Sequence, residues 1–422
     1  MVVAQCRQRP RDFTRRCKLT FATVALVILR GHKLSLQSAL NKVFQALGQV
    51  FRVPTNGAFT HARQKLKPAV FTLLSRTVVQ SFYDQAAPDG QVRRWRGHRL
   101  VACDGTFLNL PDTAETRAQF SLQTNQHAGA ECVQALCCVL YDLCNHLGLA
   151  LTLTPRQGEV GLLLKELWAA TRPDDVLVAD RAYADYRLLA YAVARGRHLI
   201  VRLPRGRFSA CEAFWQSTLP EQEFTLTWPS TPDTRAFVRE HGLPETLRLR
   251  LVRVLLPNGE TEVLLTTLLD TQAYPAAEFK QVYAWRWREE TFFDRFKNIF
   301  EVERFSGTSV AAIEQDVHGV LLLANLERVL SAPDEAALQQ QAQARDHKTL
   351  PQVNHAVSYV ALVERVVPLL TAGQADAAVL AELHHLFRTN PTRIRPARQV
   401  PRPPLKYAHR LRFHKYVKKL LA

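Results

Sequence analysis

The chain has 422 residues, a net charge of +17 and 47% hydrophobic residues. This length and apolar content predict a folded protein of two or three domains and exclude an intrinsically disordered one. The excess of positive charge predicts a polyanionic partner, and nucleic acid is the simplest such partner. Because RNA-binding proteins have the same charge balance, composition does not separate DNA from RNA.

Cysteine usage and the N-terminus both indicate a cytoplasmic protein. None of the eight cysteines forms a CxxC pair, which favours buried free thiols in a reducing compartment. A zinc site that uses Cys144 and His146 stays open, although the spacing of candidate ligands does not support one. The apolar run at residues 19–29 follows basic residues as in a signal peptide, but it lacks a cleavage site and is too short to span a membrane.

Residues 1–95 are predicted to be a helical DNA-binding region. Residues 19–29 form one apolar helix, Ser35 caps a second, and a turn then precedes a short basic helix with Arg63 and Lys65. A basic helix after a turn is typical of helix-turn-helix docking on DNA, although ordinary surface helices share the pattern. Arg63 and Lys65 are therefore candidate DNA contacts.

Residues 96–205 change to strands alternating with helices. The predicted elements are strands at 98–103, 133–143, 147–153, 175–179 and 198–203 and helices at 159–171 and 183–194. Three early strands followed by alternating elements favour a ribonuclease-H-like α/β core, although other mixed α/β folds fit the pattern. Asp104 and Asp180 each follow an apolar strand, so we expect both side chains at the edge of the sheet.

The rest of the chain completes this organisation. Residues 206–274 are predicted to be a β-rich insertion that contains Trp215 and Trp228, and residues 275–330 the second part of the core. Residues 331–422 are predicted to be a helical C-terminal region, with helices near 333–345, 354–367 and 375–387. From residue 388 onward the chain has many basic and no acidic residues. This tail is either an arm that tracks phosphates or a solvated charged tail.

The segment YAWRWREETFFDRFK is predicted to lie on one long helix that begins after Pro275. On such a helix Tyr283, Arg286, Glu290 and Lys297 fall within a stripe roughly 60° wide. A carboxylate in this stripe can hold a divalent metal ion, and the cations can hold phosphates. Considered alone, a helix of mixed charge is more often a solvated face.

This Y-x2-R-x3-E-x6-K pattern resembles the signature of insertion-sequence DDE transposases of the "IS-four" group. The segments DGTFLNLP at Asp104 and DRAY at Asp180 resemble the two aspartate motifs of that family, with Ala182 where the family usually has glycine. The resemblance implies a ribonuclease-H-like α/β fold with a β insertion. It also implies that Asp104, Asp180 and Glu290 form a catalytic triad that binds Mg²⁺, which Mn²⁺ can replace.

The resemblance further implies cut-and-paste transposition of an insertion sequence by two-metal phosphoryl transfer. Tyr283, Arg286 and Lys297 would grip the cleaved transposon end, and a flipped base would stack on Trp215 or Trp228. The implied partners are double-stranded DNA, as terminal inverted repeats and target, and a second subunit in a homodimer on the bacterial nucleoid. Two alternatives stay open: a ribonuclease-H-like nuclease that does not join strands, and a DNA-binding protein without catalysis.

Overall fold

The computed structural model of the chain describes residues 2–15, 17–31, 35–86, 92–124, 131–227, 231–256, 259–347, 349–371 and 377–393. Trp228 and the basic tail beyond residue 393 lie outside the described residues. The chain divides into two compact units. Unit 1 comprises Met1–Gln85, Leu108–Ala135 and Asp294–Ala422, and unit 2 comprises Ala86–Phe107 and Leu136–Phe293.

The α-helices, numbered in chain order, are α1 (Val2–Cys6), α2 (Phe21–Gly31), α3 (Leu36–Ala46), α4 (Asn56–Arg63), α5 (Ala69–Ala86), α6 (Ala114–Gln119), α7 (Glu159–Leu162), α8 (Tyr186–Ala194), α9 (Glu212–Gln216), α10 (Pro232–Glu240), α11 (Ala276–Ala284), α12 (Trp287–Asn298), α13 (Val310–Ala344), α14 (His355–Thr371) and α15 (Ala377–Thr389). The β-strands are β1 (Arg99–Asn109), β2 (Ser121–Thr124), β3 (Glu131–Asp142), β4 (Leu147–Thr154), β5 (Asp175–Ala179), β6 (His198–Arg202), β7 (Glu221–Thr227), β8 (Thr246–Leu255), β9 (Thr261–Thr266), β10 (Pro351–Val353) and β11 (Pro391–Arg393).

Unit 1 is mostly helical, as predicted for both ends of the chain. Ser35 caps α3 by accepting a hydrogen bond from the backbone N–H of Ser38, which confirms the predicted helix start. The polar segment predicted as a separate helix or linker is instead the second half of α13, which continues through Pro333. A buried ion pair between Arg328 and Glu335, 3.0 Å apart, spans this proline.

The strands of unit 2 form one mixed sheet in the order β3-β1-β5-β6-β9-β8-β7, with β4 paired to β3. Strands β1, β5 and β6 run parallel, whereas β3 and β4 are antiparallel. The segment β4-β3-β1-β5-β6 therefore has the strand order of a ribonuclease-H-like core, with helices connecting the parallel strands. The predicted fold class is confirmed.

The strands predicted as a separate β insertion extend this same sheet. Strand β9 pairs antiparallel with β6, and β8 and β7 follow outward. This pairing covers the edge of β6, whose N–H and C=O groups would otherwise be exposed. The region also contains α10, which the alternating pattern did not predict and which begins with Pro232 in its first turn.

Two predicted elements in the core have different bounds. Strand β1 does not end before Asp104 but continues to Asn109, and the Leu110 N–H then donates to the Val133 carbonyl at 2.9 Å. The helix predicted at residues 159–171 is a short α-helix followed by π and 3-10 turns. Asp104 therefore lies within a strand, where its neighbours in the sheet fix its backbone.

The eight cysteines are thiols that form no disulfide; Cys17 is exposed, Cys132 is half-buried and the others are buried. Among the described residues, no helix combines the length and apolar content that crossing a lipid bilayer requires.

Candidate active site

The signature segment consists of two helices, not the single long helix that was predicted. Between α11 and α12, the Arg286 N–H donates to the Tyr283 carbonyl at 3.1 Å, and the Glu289 N–H donates to the Arg286 carbonyl at 3.0 Å. These are i→i−3 bonds of a 3-10 turn, which advances ~120° per residue instead of ~100°. The side chains of Tyr283, Arg286 and Glu289 therefore lie in a row on the same side of this turn, and all three are buried. No glycine or proline causes the break, so we attribute it to the burial of these side chains.

Asp104 lies on β1, and Asp180 directly follows the neighbouring strand β5. Strands β1 and β5 pair in parallel with Arg99 opposite Asp175. Asp104 follows Arg99 by the same number of residues as Asp180 follows Asp175. The two aspartates therefore lie at equivalent positions along the two strands. Neighbouring strands are ~4.8 Å apart.

Glu290 approaches Asp104 from α12. Burial raises the pKa of Asp104 to about 6, the Gly105 N–H donated at 2.9 Å opposes this rise, and the charges of Glu159 and Glu290 add to it. Glu159 and Glu290 are thus close enough to Asp104 for their charges to disfavour its ionisation.

Arg286 is the cation in contact with this group. Its Nη2 donates to Glu290 Oε1 at 2.9 Å, and its guanidinium carbon lies 5.8 Å from the centre of the Tyr283 ring. Burial by itself would lower the pKa of Arg286. The interactions with Tyr283, Glu290 and Asp180 are together stronger than this effect, so the pKa of Arg286 is raised. The Tyr283 hydroxyl is buried without a hydrogen-bond partner among the described residues, and its burial raises its pKa. Lys297 lies in the last turn of α12, within unit 1.

Two further carboxylates, which the sequence analysis did not predict, belong to this group. Glu159 accepts a hydrogen bond from the Tyr183 hydroxyl at 3.0 Å, and its pKa is raised by burial and by Asp180. Glu289 is completely buried, and burial and the charge of Asp104 raise its pKa. Helical periodicity could have indicated Glu289, because it shares an apolar face with Phe292. No sequence signal indicated Glu159.

The chemistry of these side chains suits a divalent cation, although their present spacing does not form a complete site. As they stand, no three His, Cys, Asp or Glu side chains in the described part of the chain come close enough together to hold a metal ion. The candidate ligands are carboxylate oxygens, which Mg²⁺ prefers, and a cation would relieve the repulsion between them.

Arg63 does not present its charge to solvent. It is buried in unit 1, and its guanidinium donates to four acceptors: Gln315 Oε1 at 2.6 Å, Ser306 Oγ at 2.7 Å, Asp316 Oδ1 at 2.7 Å and the Ala312 carbonyl at 2.8 Å. These contacts tie α4 to α13, so the surroundings of Arg63 do not support a DNA contact there. Lys65 lies beyond the end of α4 and is exposed.

Trp215 lines a pocket next to the second aspartate motif. The pocket has a volume of about 200 Å³ and is also lined by Arg181, Arg202 and Arg205. The Trp215 indole N–H is buried and has no hydrogen-bond partner among the described residues. An aromatic ring, an unused donor and three guanidinium groups are therefore gathered in one small cavity.

The family model described as the transposase DDE domain matches residues 95–326, more than half of the chain. The chain belongs to this family. The matched DDE domain contains Asp104, Asp180 and Glu290, and the match confirms the resemblance to DDE transposases.

The chain is similar to a curated transposase and to a solved transposase structure, among others. Transposase InsG for insertion sequence element IS4, from Escherichia coli (strain K12), is 27% identical over 274 residues, which are 64% of this chain and 60% of that protein. The chain thus spans about 60% of the length of this curated relative. The cryo-EM structure of the piggyBac transposase synaptic complex with hairpin DNA has 11% identity and a TM-score of 0.41, covering 95% of this chain and 84% of that chain.

Proposed function

We propose that this protein is a DNA transposase that moves an insertion sequence by cut and paste: it cleaves the element ends through a hairpin and joins them to target DNA. The observation that carries the proposal is the placement of Asp104 and Asp180 at one level of neighbouring parallel strands, with Glu290 close to Asp104. Membership of the transposase DDE domain family and the similarity to InsG support it.

Asp104, Asp180 and Glu290 are the residues that would hold Mg²⁺, or Mn²⁺ in its place. Bound divalent cations supply the activation of a water or 3′-hydroxyl and the stabilisation of the leaving oxygen. The chain's own residues hold and orient the DNA. The Arg286 guanidinium, fixed between Tyr283 and Glu290, can donate to a phosphate next to the carboxylates.

We propose further DNA contacts on each of the two units. Tyr283 and Lys297 would contact the transposon end together with Arg286. The Trp215 pocket, with its three arginines, suits a base removed from the duplex and its phosphates. Exposed Lys65 is a candidate phosphate contact, and Arg63 acts inside unit 1. Because two ends must be paired, a homodimer on bacterial DNA is proposed.

The test is incubation of the protein with its own element's ends and Mg²⁺, with nicked, hairpin and joined products resolved separately. Glu290→Gln should abolish cleavage and preserve end binding, because glutamine keeps the size and the acceptor for Arg286 but loses the charge. Glu382→Gln is the control, since this exposed carboxylate pairs with Arg365 on the surface of unit 1.

Three outcomes would change the proposal. A Glu290→Gln protein that still cleaves in Mg²⁺ would remove Glu290 from the triad. Nicks without joined products in the unsubstituted protein would favour the nuclease, and tight binding without any cleavage would favour a DNA-binding protein.

A further inference from the structure

Glu289 is a buried carboxylate that no part of the described chain satisfies. Its side chain is 0% exposed, and neither of its oxygens has a hydrogen-bond partner among the described residues. Moving a carboxylate out of water without a partner is costly, so without a compensating cation such a group is held as the neutral acid. The charged groups near it are Asp104, Arg286 and Glu159.

A second buried glutamate shows how this chain normally compensates for such a group. Glu327 in unit 1 is 1% exposed, but it accepts hydrogen bonds from the Ser358 hydroxyl and from His355 Nδ1. These partners hold the pKa of Glu327 below its usual value despite its burial. Glu289 has the same burial without these partners, so local hydrogen bonding does not explain its presence.

The neighbouring Glu159 is held against the backbone beside Asp104. Its Oε2 accepts from the Tyr183 hydroxyl at 3.0 Å, and its Oε1 lies 2.6 Å from the position that a Cβ on Gly105 would occupy. Glycine at position 105 thus makes room for a carboxylate next to Asp104. Glu159 from α7 therefore lies beside Asp104, and Glu289 from α12 is close enough to interact with the charge of Asp104. Arg286, which already pairs with Glu290, is a cation near both carboxylates.

We propose that Glu289 is an additional ligand carboxylate of the divalent-cation site that Asp104, Asp180 and Glu290 would form. An unpartnered carboxylate that is completely buried among other carboxylates has the chemistry that a hard cation requires. The cation then supplies the compensation that the protein does not. This inference rests on the proposed function, because it needs the cation site of the transposase.

The experiment measures Mn²⁺ binding to the full chain by electron paramagnetic resonance, without DNA and therefore without turnover. Glu289→Gln and Glu289→Leu should weaken Mn²⁺ binding by roughly 10- to 100-fold, the loss typical of residues that support a metal site. Glu327→Gln is the matched control, since it removes an equally buried carboxylate far along the chain and should leave Mn²⁺ affinity unchanged.

Thermal unfolding gives a second readout. In EDTA, Glu289→Leu should raise the melting temperature because it removes an unpartnered buried acid, whereas Glu327→Gln should lower it because it breaks existing hydrogen bonds. Added Mn²⁺ should stabilise the unsubstituted protein more than either Glu289 variant.

The outcomes separate the two proposals. If the unsubstituted protein binds Mn²⁺ and both Glu289 variants bind it equally well, the ligand role of Glu289 is overturned while the proposed function stands. If the unsubstituted protein binds no Mn²⁺ and cleaves no ends, both fail. If Glu289→Leu does not fold, Glu289→Gln decides, because it preserves the shape of the side chain.

Discussion

Asp104 shows how a single residue can have its ionisation set by the neighbours that surround it. Burial, Glu159 and Glu290 favour its neutral form, and the Gly105 N–H and Arg286 favour its charged form. The effects that favour the neutral form are the stronger ones, so the pKa of Asp104 is raised from 3.8 to about 6. Such a group is costly for folding near neutral pH and is typical of sites that bind cations.

This shift predicts a pH-dependent difference between the unsubstituted protein and Asp104→Asn. Because the folded-state pKa is raised, the contribution of Asp104 to stability is fully present below about pH 4 and is lost as the pH rises through about 6. In EDTA, the unfolding free energy of the unsubstituted protein relative to Asp104→Asn should therefore fall by about 2 kcal/mol between pH 4 and pH 8. Denaturant titrations at each pH measure it; a difference that does not change with pH would contradict this environment for Asp104.

Arg286 carries a second prediction at this scale. Arg286→Lys keeps the positive charge but loses the planar guanidinium that joins Tyr283 and Glu290. We expect end cleavage and strand transfer to fall at least tenfold, roughly the effect of losing one oriented charged hydrogen bond.

The control is Arg304→Lys, because Arg304 forms an exposed pair with Glu301. It should leave both reactions unchanged. Normal cleavage, hairpin formation and strand transfer by Arg286→Lys would remove Arg286 from the site.

At the scale of elements, helix α4 shows that a basic residue on a short helix can serve the fold. Arg63 reaches Asp316, 253 positions later in the chain, and pairs with it inside unit 1. Lys65, two residues further on, is exposed. The two residues look alike in the sequence but have different surroundings.

This contrast predicts opposite effects of two neighbouring substitutions. Arg63→Ala leaves the carboxylate of Asp316 buried without its cation, so it should reduce the unfolding free energy by about 3–5 kcal/mol. Lys65→Ala should leave stability nearly unchanged and weaken binding to DNA of any sequence. Chemical denaturation and DNA titration of both proteins check this. A stable Arg63→Ala protein that has lost DNA binding would reverse the assignment.

At the scale of the whole molecule, the net charge of +17 predicts that DNA binding depends strongly on salt. Nine of the Lys and Arg residues lie after residue 393, so the tail contributes a large share of this charge. The slope of log affinity against log salt concentration should become shallower by several units when residues 394–422 are removed. Each phosphate contact contributes ~0.9 to this slope.

A full-length protein with these nine residues replaced by glutamine separates the effect of charge from that of length. It should behave as the truncated protein does, and both should retain cleavage at low salt. An unchanged slope in both proteins would show that the tail is a solvated extension without phosphate contacts.

The sequence by itself determined the elements whose signals are local. Strand β5 occupies the predicted residues 175–179, and Ser35 caps its helix, because apolar runs and capping residues act within a few positions. The family followed from short motifs at Asp104, Asp180 and Glu290, whose spacing is visible in the sequence.

Only the tertiary structure decided which charges are buried and what they contact. The break between α11 and α12, the burial of Arg63 and the gathering of Glu159 and Glu289 around Asp104 all depend on residues far apart in the chain. Burial and electrostatic neighbours are properties of the packed molecule, so two basic residues with the same local sequence signal, Arg63 and Lys65, can end in the interior and in water.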